Sequence, residues 1–208
     1  MKLSTTFSAC LLVASLTALA ANQSPATRPA PADPSTPRGA LKACDQSLPA
    51  GGLAAARQLY YWNDRKHRPA VDAMAKSDLA AARLGKLVRE KFGPQAAENA
   101  LHAMRQFTAA DIDAATETIH VDQAIVAWPD DREPLEMVKI DGKWKVSVAA
   151  MLADADADAI KEVIDTNNQL VKELDLTAKE LADGEYANAV LLERAIKQRV
   201  FRIMGDDD

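Results

Sequence analysis

Two alternating apolar segments joined by Asp141-Gly142 limit the folds open to this chain more than any other feature. Asp-Gly is a strong signal for a tight β-hairpin, because both turn residues can adopt positive φ angles. We therefore predict strands over Leu135–Ile140 and Lys143–Val148. Alternate residues of a strand share one face, and one face of the second strand is apolar, with Trp144, Val146 and Val148. The pattern predicts a sheet with one buried face, in which Trp144 is a core residue.

The rest of the chain combines two more strand-like segments with long helical ones. Thr116–His120 and Ala124–Trp128 have the composition of strands. In other segments, apolar residues recur at helical spacing, with glycine or proline at the boundaries. These predicted helices cover Gly39–Ser47, Leu53–Tyr61, Arg65–Lys91, Pro94–Phe107, Asp156–Asp183 and Tyr186–Ile203. The predicted fold class is α+β: N-terminal helices, a curved antiparallel sheet of about four strands and a C-terminal helical hairpin.

The last two predicted helices need a surface to pack on. The first of them carries an apolar stripe that is too apolar for an isolated helix; it consists of Ile160, Val163, Ile164, Leu170, Val171 and Leu174. Gly184 permits a sharp reversal, and the returning helix offers Val190, Leu191, Ala195 and Val200 as core residues. A two-helix hairpin leaves one side apolar. We therefore expect it to pack on the domain, over the open face of the sheet, with a dimer or partner contact as the alternative.

The segment Pro134–Val146, with the sequence PLEMVKIDGKWKV, resembles the late strands of the nuclear transport factor 2-like superfamily. The resemblance covers residues 37–148 and implies a curved sheet wrapped against helices into a cone. Some members are isomerases or dehydratases with polar groups inside the cone. Others bind small molecules or proteins, and many are secreted and uncharacterised. The helices before and after the sheet are longer here than the resemblance implies, so they could cover or plug the mouth of a cone.

The first twenty residues have the features of an export signal. Lys2 supplies the positive n-region, Phe7–Leu19 a short apolar stretch, and Ala18-Leu19-Ala20 the small residues at a signal-peptidase site. The apolar stretch is shorter than the roughly 20 residues that a transmembrane helix needs. We therefore predict cleavage near Ala20 and an extracytoplasmic location, in the periplasm or secreted, with no transmembrane segment.

Four parts make up the predicted domain organisation. Residues 1–20 are the signal peptide, 21–36 a proline-rich linker, 37–148 the α+β domain, and 149–208 the C-terminal hairpin packed on it. Cleavage would remove Cys10 and leave Cys44 without an intramolecular disulfide partner. Cys44 is then either an inert small side chain or the site of an intermolecular bridge. Cys10 as an acylated lipoprotein residue is a weaker alternative, because the apolar stretch continues after it.

Composition and motifs exclude several functions. The formal net charge of −5 disfavours nucleic-acid binding, because an acidic surface repels phosphates. His67, His102 and His120 are too dispersed for a metal site, and His67 is expected to be solvated. The alternating Asp154, Asp156 and Asp158 lack the glycine and glutamate of a calcium loop, so they are interpreted as an acidic helix start. No dinucleotide or phosphate-binding glycine motif is present, so no cofactor is expected.

The candidate ligand-binding residues are mostly aromatic. Tyr60, Tyr61 and Trp62 end a predicted helix, where they either pack at a helix junction or form one wall of an apolar pocket. Asp78 lies near the apolar stripe of the long helix, and Trp128 ends a predicted strand. A general base inside a cone could be Asp78, or else Asp111 or Asp113, with its pKa raised by burial. Each of these three also has a structural interpretation, at the edge of the stripe or as a loop or capping residue.

The sequence contains no catalytic motif that identifies an activity. We therefore expect an exported, non-enzymatic domain that binds a protein partner or a small apolar ligand, with a homodimer left open. The alternatives are a cone-type isomerase or dehydratase that uses an acid such as Asp78 or Asp113, and a helical envelope scaffold. Two or more titratable side chains inside an open apolar cavity would favour the enzyme over the non-enzymatic domain.

Overall fold

A computed structural model describes residues 33–104, 106–130 and 132–205, so the predicted signal peptide and most of the predicted linker lie outside the described residues. Its helices are α1 (Pro37–Gln58), α2 (Arg68–Phe92), α3 (Pro94–Ala103), α4 (Ala109–Ala114), α5 (Val148–Met151), α6 (Ala157–Asp183) and α7 (Ala189–Met204). Its strands are β1 (Tyr60–Tyr61), β2 (Thr116–His120), β3 (Gln123–Ala127), β4 (Leu135–Ile140) and β5 (Lys143–Ser147). A short 3-10 turn, Arg65–His67, leads into α2.

The strands form one sheet in the order β1-β5-β4-β3-β2. β1 is parallel to β5, whereas the other neighbouring pairs are antiparallel. The predicted α+β class and C-terminal helical pair are confirmed, but the sheet is mixed and has a fifth strand. That strand, β1, was expected to be the end of a helix. It has only two residues, and its partner lies far along the chain, so no local pattern marks it.

The β4–β5 hairpin forms as predicted. Asp141 and Gly142 both have positive φ, at 51° and 76°, as a tight turn between twisted strands requires. Trp144 is buried on the inner face of β5, and its indole Nε1 donates a hydrogen bond to the carbonyl oxygen of Ser35 at 2.9 Å. The hairpin therefore fixes the buried face of the sheet and ties it to the chain just before α1.

The N-terminal helices differ in detail from the prediction. α1 spans both predicted helices but is broken at Gly52, where φ is 63° and ψ is −163°. α3 ends at Ala103, so Phe107 lies in the loop before α4 rather than in a helix. α4 begins with a capping box, in which Thr108 and Asp111 satisfy each other's backbone N–H groups. Because α4 and α5 have only six and four residues, their sequences are too short to display a helical period.

Two hydrophobic clusters form the interior. The sheet-side core joins α1, the first half of α2 and the inner face of the sheet, and includes Val71, Ile112, Val126, Met137, Trp144 and Val146. The helix-side core joins the second half of α2 with α3, α6 and α7, and includes Leu84, Val88, Ala100, Leu174, Leu181 and Ile196. α2 therefore runs through both clusters and connects them.

The C-terminal pair packs on helices rather than on the sheet. α6 lies along α2, and α7 lies against α3 and α6. Only the first turns of α6 reach the sheet-side core, through Ile160, Val163 and Ile164. The expectation that the hairpin lies over the open face of the sheet is therefore wrong. Its reversal at Gly184, which has φ 83°, is confirmed.

The predicted core residues of α7 need correction. Val190 is 64% exposed and Leu191 44% exposed, whereas Leu192, Ile196 and Val200 are buried. Three consecutive apolar residues cannot all face inward on a helix, and the buried set follows the i, i+4, i+8 spacing of one face. Of the helices in the described part of the chain, none is long and apolar enough to cross a membrane.

Candidate functional site

A cavity of about 220 Å³ lies inside the sheet-side core, between α1, α2 and the inner face of the sheet. Its wall is mostly apolar and includes Leu41, Leu48, Met74, Phe107, Ile112, Leu135 and Val146. Four titratable side chains share this wall: Cys44, Asp45, Tyr60 and Asp78. Gln106 adds a neutral amide. The arrangement is a small apolar chamber with a polar group of residues at one side.

Tyr60 and Asp78 form the central polar pair. The parallel pairing of β1 with β5 places Tyr60 opposite Val146 on the inner face, and the Val146 N–H donates to the Leu59 carbonyl at 2.8 Å. From there the Tyr60 hydroxyl donates a hydrogen bond to Asp78 Oδ2 at 2.5 Å. Asp78 sits in the middle of α2, away from the N–H groups at the helix start that could also have stabilised a carboxylate.

Burial controls the protonation of this pair. It raises the pKa of Asp78 to about 6, although the hydrogen bond from Tyr60 partly opposes the shift. The pKa of Tyr60 is raised well above its ordinary value by burial and by the nearby Asp78. The tyrosine is therefore a neutral hydrogen-bond donor. The carboxylate gains and loses its proton near pH 6, which is close to the pH at which a general base is most effective.

Cys44 and Asp45 bring two more acidic groups to the cavity from α1. Burial, helped by Asp78 and Asp45, raises the pKa of Cys44 to about 12, so the thiol stays protonated and unreactive. Burial also raises the pKa of Asp45, while Arg89 acts in the opposite direction. The raised pKa favours the inert alternative for Cys44, and the polar side of the cavity is acidic.

An aromatic stack supports the wall near Phe107. The rings of Phe107 and Trp128 lie 4.1 Å apart at 14°. The guanidinium of Arg132 lies 5.5 Å from the Phe107 ring and 5.4 Å from the Trp128 ring. Arg132 also donates a 2.9 Å hydrogen bond to Asp111, and together with Thr108 it lowers the pKa of that carboxyl against the effect of burial. Trp128 does not line the cavity; it packs against the Phe107 ring, which does.

The structure brings together only some of the candidate residues. Tyr60 and Asp78 meet in the cavity. Tyr61, the next residue of the strand, projects toward the opposite face of the sheet and does not line the cavity. Trp62 lines a separate surface groove, together with Arg57, Arg65, Arg68 and Asp72.

The other proposed general bases have structural partners elsewhere. Asp111 belongs to the capping box and pairs with Arg132. Asp113 is an exposed residue that forms an ion pair with Lys42. Neither lines the cavity. Asp78 is therefore the carboxylate among the three that could act on a small molecule in this chamber.

Sequence reasoning did not select Cys44, Asp45, Gln106 and Phe107 as site residues. A signal for the first two was present: Leu41, Cys44, Asp45 and Leu48 follow the i, i+3, i+4, i+7 spacing of one helix face. A carboxylate inside an apolar stripe is unusual enough to indicate a site. Gln106 and Phe107 lie in a loop without a helical or strand period, so only the folded chain places them at the cavity.

The histidines and the acidic triplet have local roles. His67 is 3% exposed, and neither ring nitrogen has a hydrogen-bond partner among the described residues, so the expectation of a solvated His67 is wrong. His102 is half exposed, with Nε2 3.7 Å from Asp111. Asp156 caps α6 by accepting a hydrogen bond from the Ala159 N–H. Within the described ranges, no three His, Cys, Asp or Glu residues are grouped as a metal site.

Comparisons with protein-family models, with curated proteins and with solved structures found no match to this chain. The resemblance to the nuclear transport factor 2-like superfamily therefore rests on the residues of the β4–β5 hairpin and stays a prediction.

Proposed function

We propose that this protein binds a small, largely apolar ligand in the cavity of the sheet-side core. The observation that carries the proposal is a carboxylate, Asp78, placed with a phenol, Tyr60, in a chamber whose other walls are mostly apolar. A buried carboxylate with a raised pKa costs stability. A strongly perturbed titratable group in a concave, mostly apolar site is a candidate for ligand binding or catalysis.

The cavity volume sets the size of the ligand. An apolar cavity of about 150 Å³ binds benzene, and this one measures about 220 Å³. A single six-membered ring with one short substituent therefore fits, whereas pockets for drug-sized molecules run to roughly 300–1,000 Å³. The apolar wall would hold the ring, and the acidic side would receive the substituent.

Titration with toluene tests the proposal directly. We expect chemical-shift changes in two-dimensional NMR spectra that are confined to residues of the cavity wall, with saturation and a raised melting temperature. Met74→Trp should fill the chamber and abolish these changes. Met204→Trp makes the same substitution at an exposed residue of α7 and should leave them intact. Absence of saturable shifts in the wild-type protein with toluene and with its polar analogues benzyl alcohol and benzylamine would refute the proposal.

A second candidate function is proton transfer to or from such a ligand. Two observations favour it: four titratable side chains share one mostly apolar cavity, and the pKa of Asp78 is raised to about 6. In its ionised form Asp78 would remove a proton from a carbon that lies between a carbonyl group and a carbon–carbon double bond. The electron pair of that C–H bond would form a new C=C bond while the carbonyl π electrons move to its oxygen, which gives a dienolate. Return of the proton to the far end of the original double bond, with the electrons flowing back from the oxygen, would shift the double bond into conjugation and complete an isomerisation. Tyr60 would hold the carboxylate in position.

Deuterium exchange separates the enzyme from the binding protein. Incubation with cyclohexanone in deuterated buffer should label the ketone at the carbons beside the carbonyl. Asp78→Asn should abolish the labelling, and Asp175→Asn, a matched change at an exposed residue of α6, should preserve it. Labelling at the buffer rate with the wild-type protein would leave ligand binding as the function.

The export signal adds a location to this proposal. The n-region, the short apolar stretch and the small residues before Ala21 support export with cleavage after Ala20. Intact-mass measurement of the secreted protein should give a chain that starts at Ala21. A mature chain that starts elsewhere, or one acylated at Cys10, would contradict this part.

A further inference from the structure

The titratable groups of the cavity wall are all acids. Asp45 and Asp78 are the ionisable carboxylates, and Cys44 and Tyr60 are neutral weak acids whose pKa values are raised. No lysine, arginine or histidine is among the wall residues that the structure describes. A ligand that carries an anion would therefore meet like charge at the two carboxylates of this partly open cavity, and would be repelled.

Asp78 also has unused hydrogen-bonding capacity. A carboxylate can accept about four hydrogen bonds, but among the described residues only the Tyr60 hydroxyl donates to Asp78. The side chain is not fully enclosed, because part of its surface opens onto the cavity. The free acceptor positions therefore face the space that a ligand would fill.

We infer that the ligand is a small organic cation, a primary or secondary amine on a ring-sized apolar body, whose ammonium N–H groups donate to Asp78. This inference rests on the proposed function of the cavity. An ammonium supplies both of the things that the site lacks, a positive charge beside the carboxylate and N–H donors for its free acceptor positions. The apolar wall of Leu41, Met74 and Phe107 would then cover the ring.

The inference predicts a pH dependence with a defined sign. The groups that face Asp78 are Tyr60 from β1 and Cys44 and Asp45 from α1, and Arg89 of α2 acts on Asp45. Burial raises the pKa of Asp78 to about 6, so the carboxylate is charged at pH 7.5 and mostly protonated at pH 5. Because the amine pairs with the charged form, its affinity should fall about tenfold between pH 7.5 and pH 5.

Four probes of one shape test the inference: benzylamine, benzyl alcohol, toluene and benzoate. Affinities would be measured by NMR titration at pH 7.5 on the wild-type protein. We expect benzylamine to bind at least ten times more tightly than toluene, and benzoate not to bind. If toluene binds equally well or benzoate binds best, the cation inference is overturned while the proposed function stands. If none of the four binds, both are overturned.

Variants identify the group responsible. Asp78→Asn keeps the shape and removes the charge, so benzylamine should lose its affinity advantage over toluene in the variant. Asp175→Asn is the matched control and should bind as the wild type does. If Asp78→Asn does not fold, the pH series on the wild-type protein decides. Benzylamine affinity should fall about tenfold toward pH 5 while toluene affinity stays constant, and equal pH profiles would overturn the inference.

Discussion

The two hydrophobic cores of this protein share one helix, α2, yet they treat buried polar groups in opposite ways. In the helix-side core, Thr177 donates to the Glu173 carbonyl and accepts from Arg199, which also pairs with Glu180 at 2.8 Å. In the sheet-side core, Asp78 has one hydrogen bond from a neutral hydroxyl and no cationic partner among the described residues. The polar groups of the helix-side core are paired with hydrogen-bond and ion-pair partners, whereas those of the sheet-side core border a cavity.

Packing differs in the same direction. In the helix-side core, small residues such as Ala81 and Ala100 let the helices pack close together. A Cβ atom added at Gly85 would lie 3.3 Å from Leu101 Cδ2, so α2 and α3 have almost no space between them there. The sheet-side core uses larger side chains around the chamber. The difference indicates that the helix-side core is packed for stability, whereas the sheet-side core leaves open the cavity that we propose as a ligand site.

Removal of α6 and α7 should have the largest effect on stability, because it takes away a large part of the helix-side core. A chain that ends at Ala155 would expose the apolar half of α2, including Leu84 and Val88, and should lose cooperative folding. Thermal melts followed by circular dichroism and size-exclusion chromatography would measure this. A chain that ends at Met204 is the control and should behave as the full chain. A shortened protein that stays monomeric, soluble and equally stable would show that the helix-side core is dispensable.

Trp144→Ala should destabilise the sheet-side core by about 3–5 kcal/mol, as is typical for a buried tryptophan. The change removes a ring that is buried on the inner face of the sheet, together with its hydrogen bond to the Ser35 carbonyl. Chemical denaturation would measure the free energy of unfolding. Trp62→Ala, at a half-exposed residue, should cost much less. Unchanged stability of Trp144→Ala would mean that the buried face of the sheet is misassigned.

A pair of leucine truncations compares the cores directly. Leu84→Ala in the helix-side core should cost about 3 kcal/mol or more, because tightly packed neighbours cannot fill the space. Leu48→Ala, at a residue that borders the cavity, should cost about 2 kcal/mol or less, since one side of Leu48 already lacks contacts. The same denaturation assay applies. Equal losses would mean that the two cores are equally well packed.

Asp78→Asn should raise stability at high pH. The folded-state pKa of about 6 lies above the ordinary aspartate pKa of 3.8, so the folded protein binds more protons between those pH values. Its free energy of unfolding therefore falls as pH rises through that window, by roughly 2–3 kcal/mol in total. The variant should lack this loss and be more stable than the wild type at pH 8, but not at pH 4. Parallel pH profiles of the two proteins would contradict a buried carboxylate.

Local patterns predicted the elements whose causes are local. The β4–β5 hairpin follows from Asp141-Gly142, and long helices such as α6 follow from their apolar period. β1 could not be predicted, because its existence depends on a parallel partner supplied by a distant strand. The buried face of α7 was misassigned because Val190, Leu191 and Leu192 are equally apolar, and only the packed neighbours select the third.

The candidate site was predictable only in part. An acidic residue at the edge of an apolar stripe identified Asp78, and an aromatic run identified Tyr60. Their meeting depends on β1 lying beside β5, a contact without a sequence pattern of its own. The cavity itself is the space left between α1, α2, the sheet and the shorter segments around Phe107, Ile112 and Met151, so no single segment encodes it.

The break in α1 at Gly52 limits which residues can occupy this position. Its φ of 63° and ψ of −163° belong to a region that essentially only glycine occupies. No other residue could replace it without a penalty of about 1–3 kcal/mol, although nothing lies within 4 Å of where a side chain would begin. A substitution at this position is therefore expected to act through the backbone alone. Related chains that keep the bend in α1 should keep glycine here even where the surrounding surface residues differ.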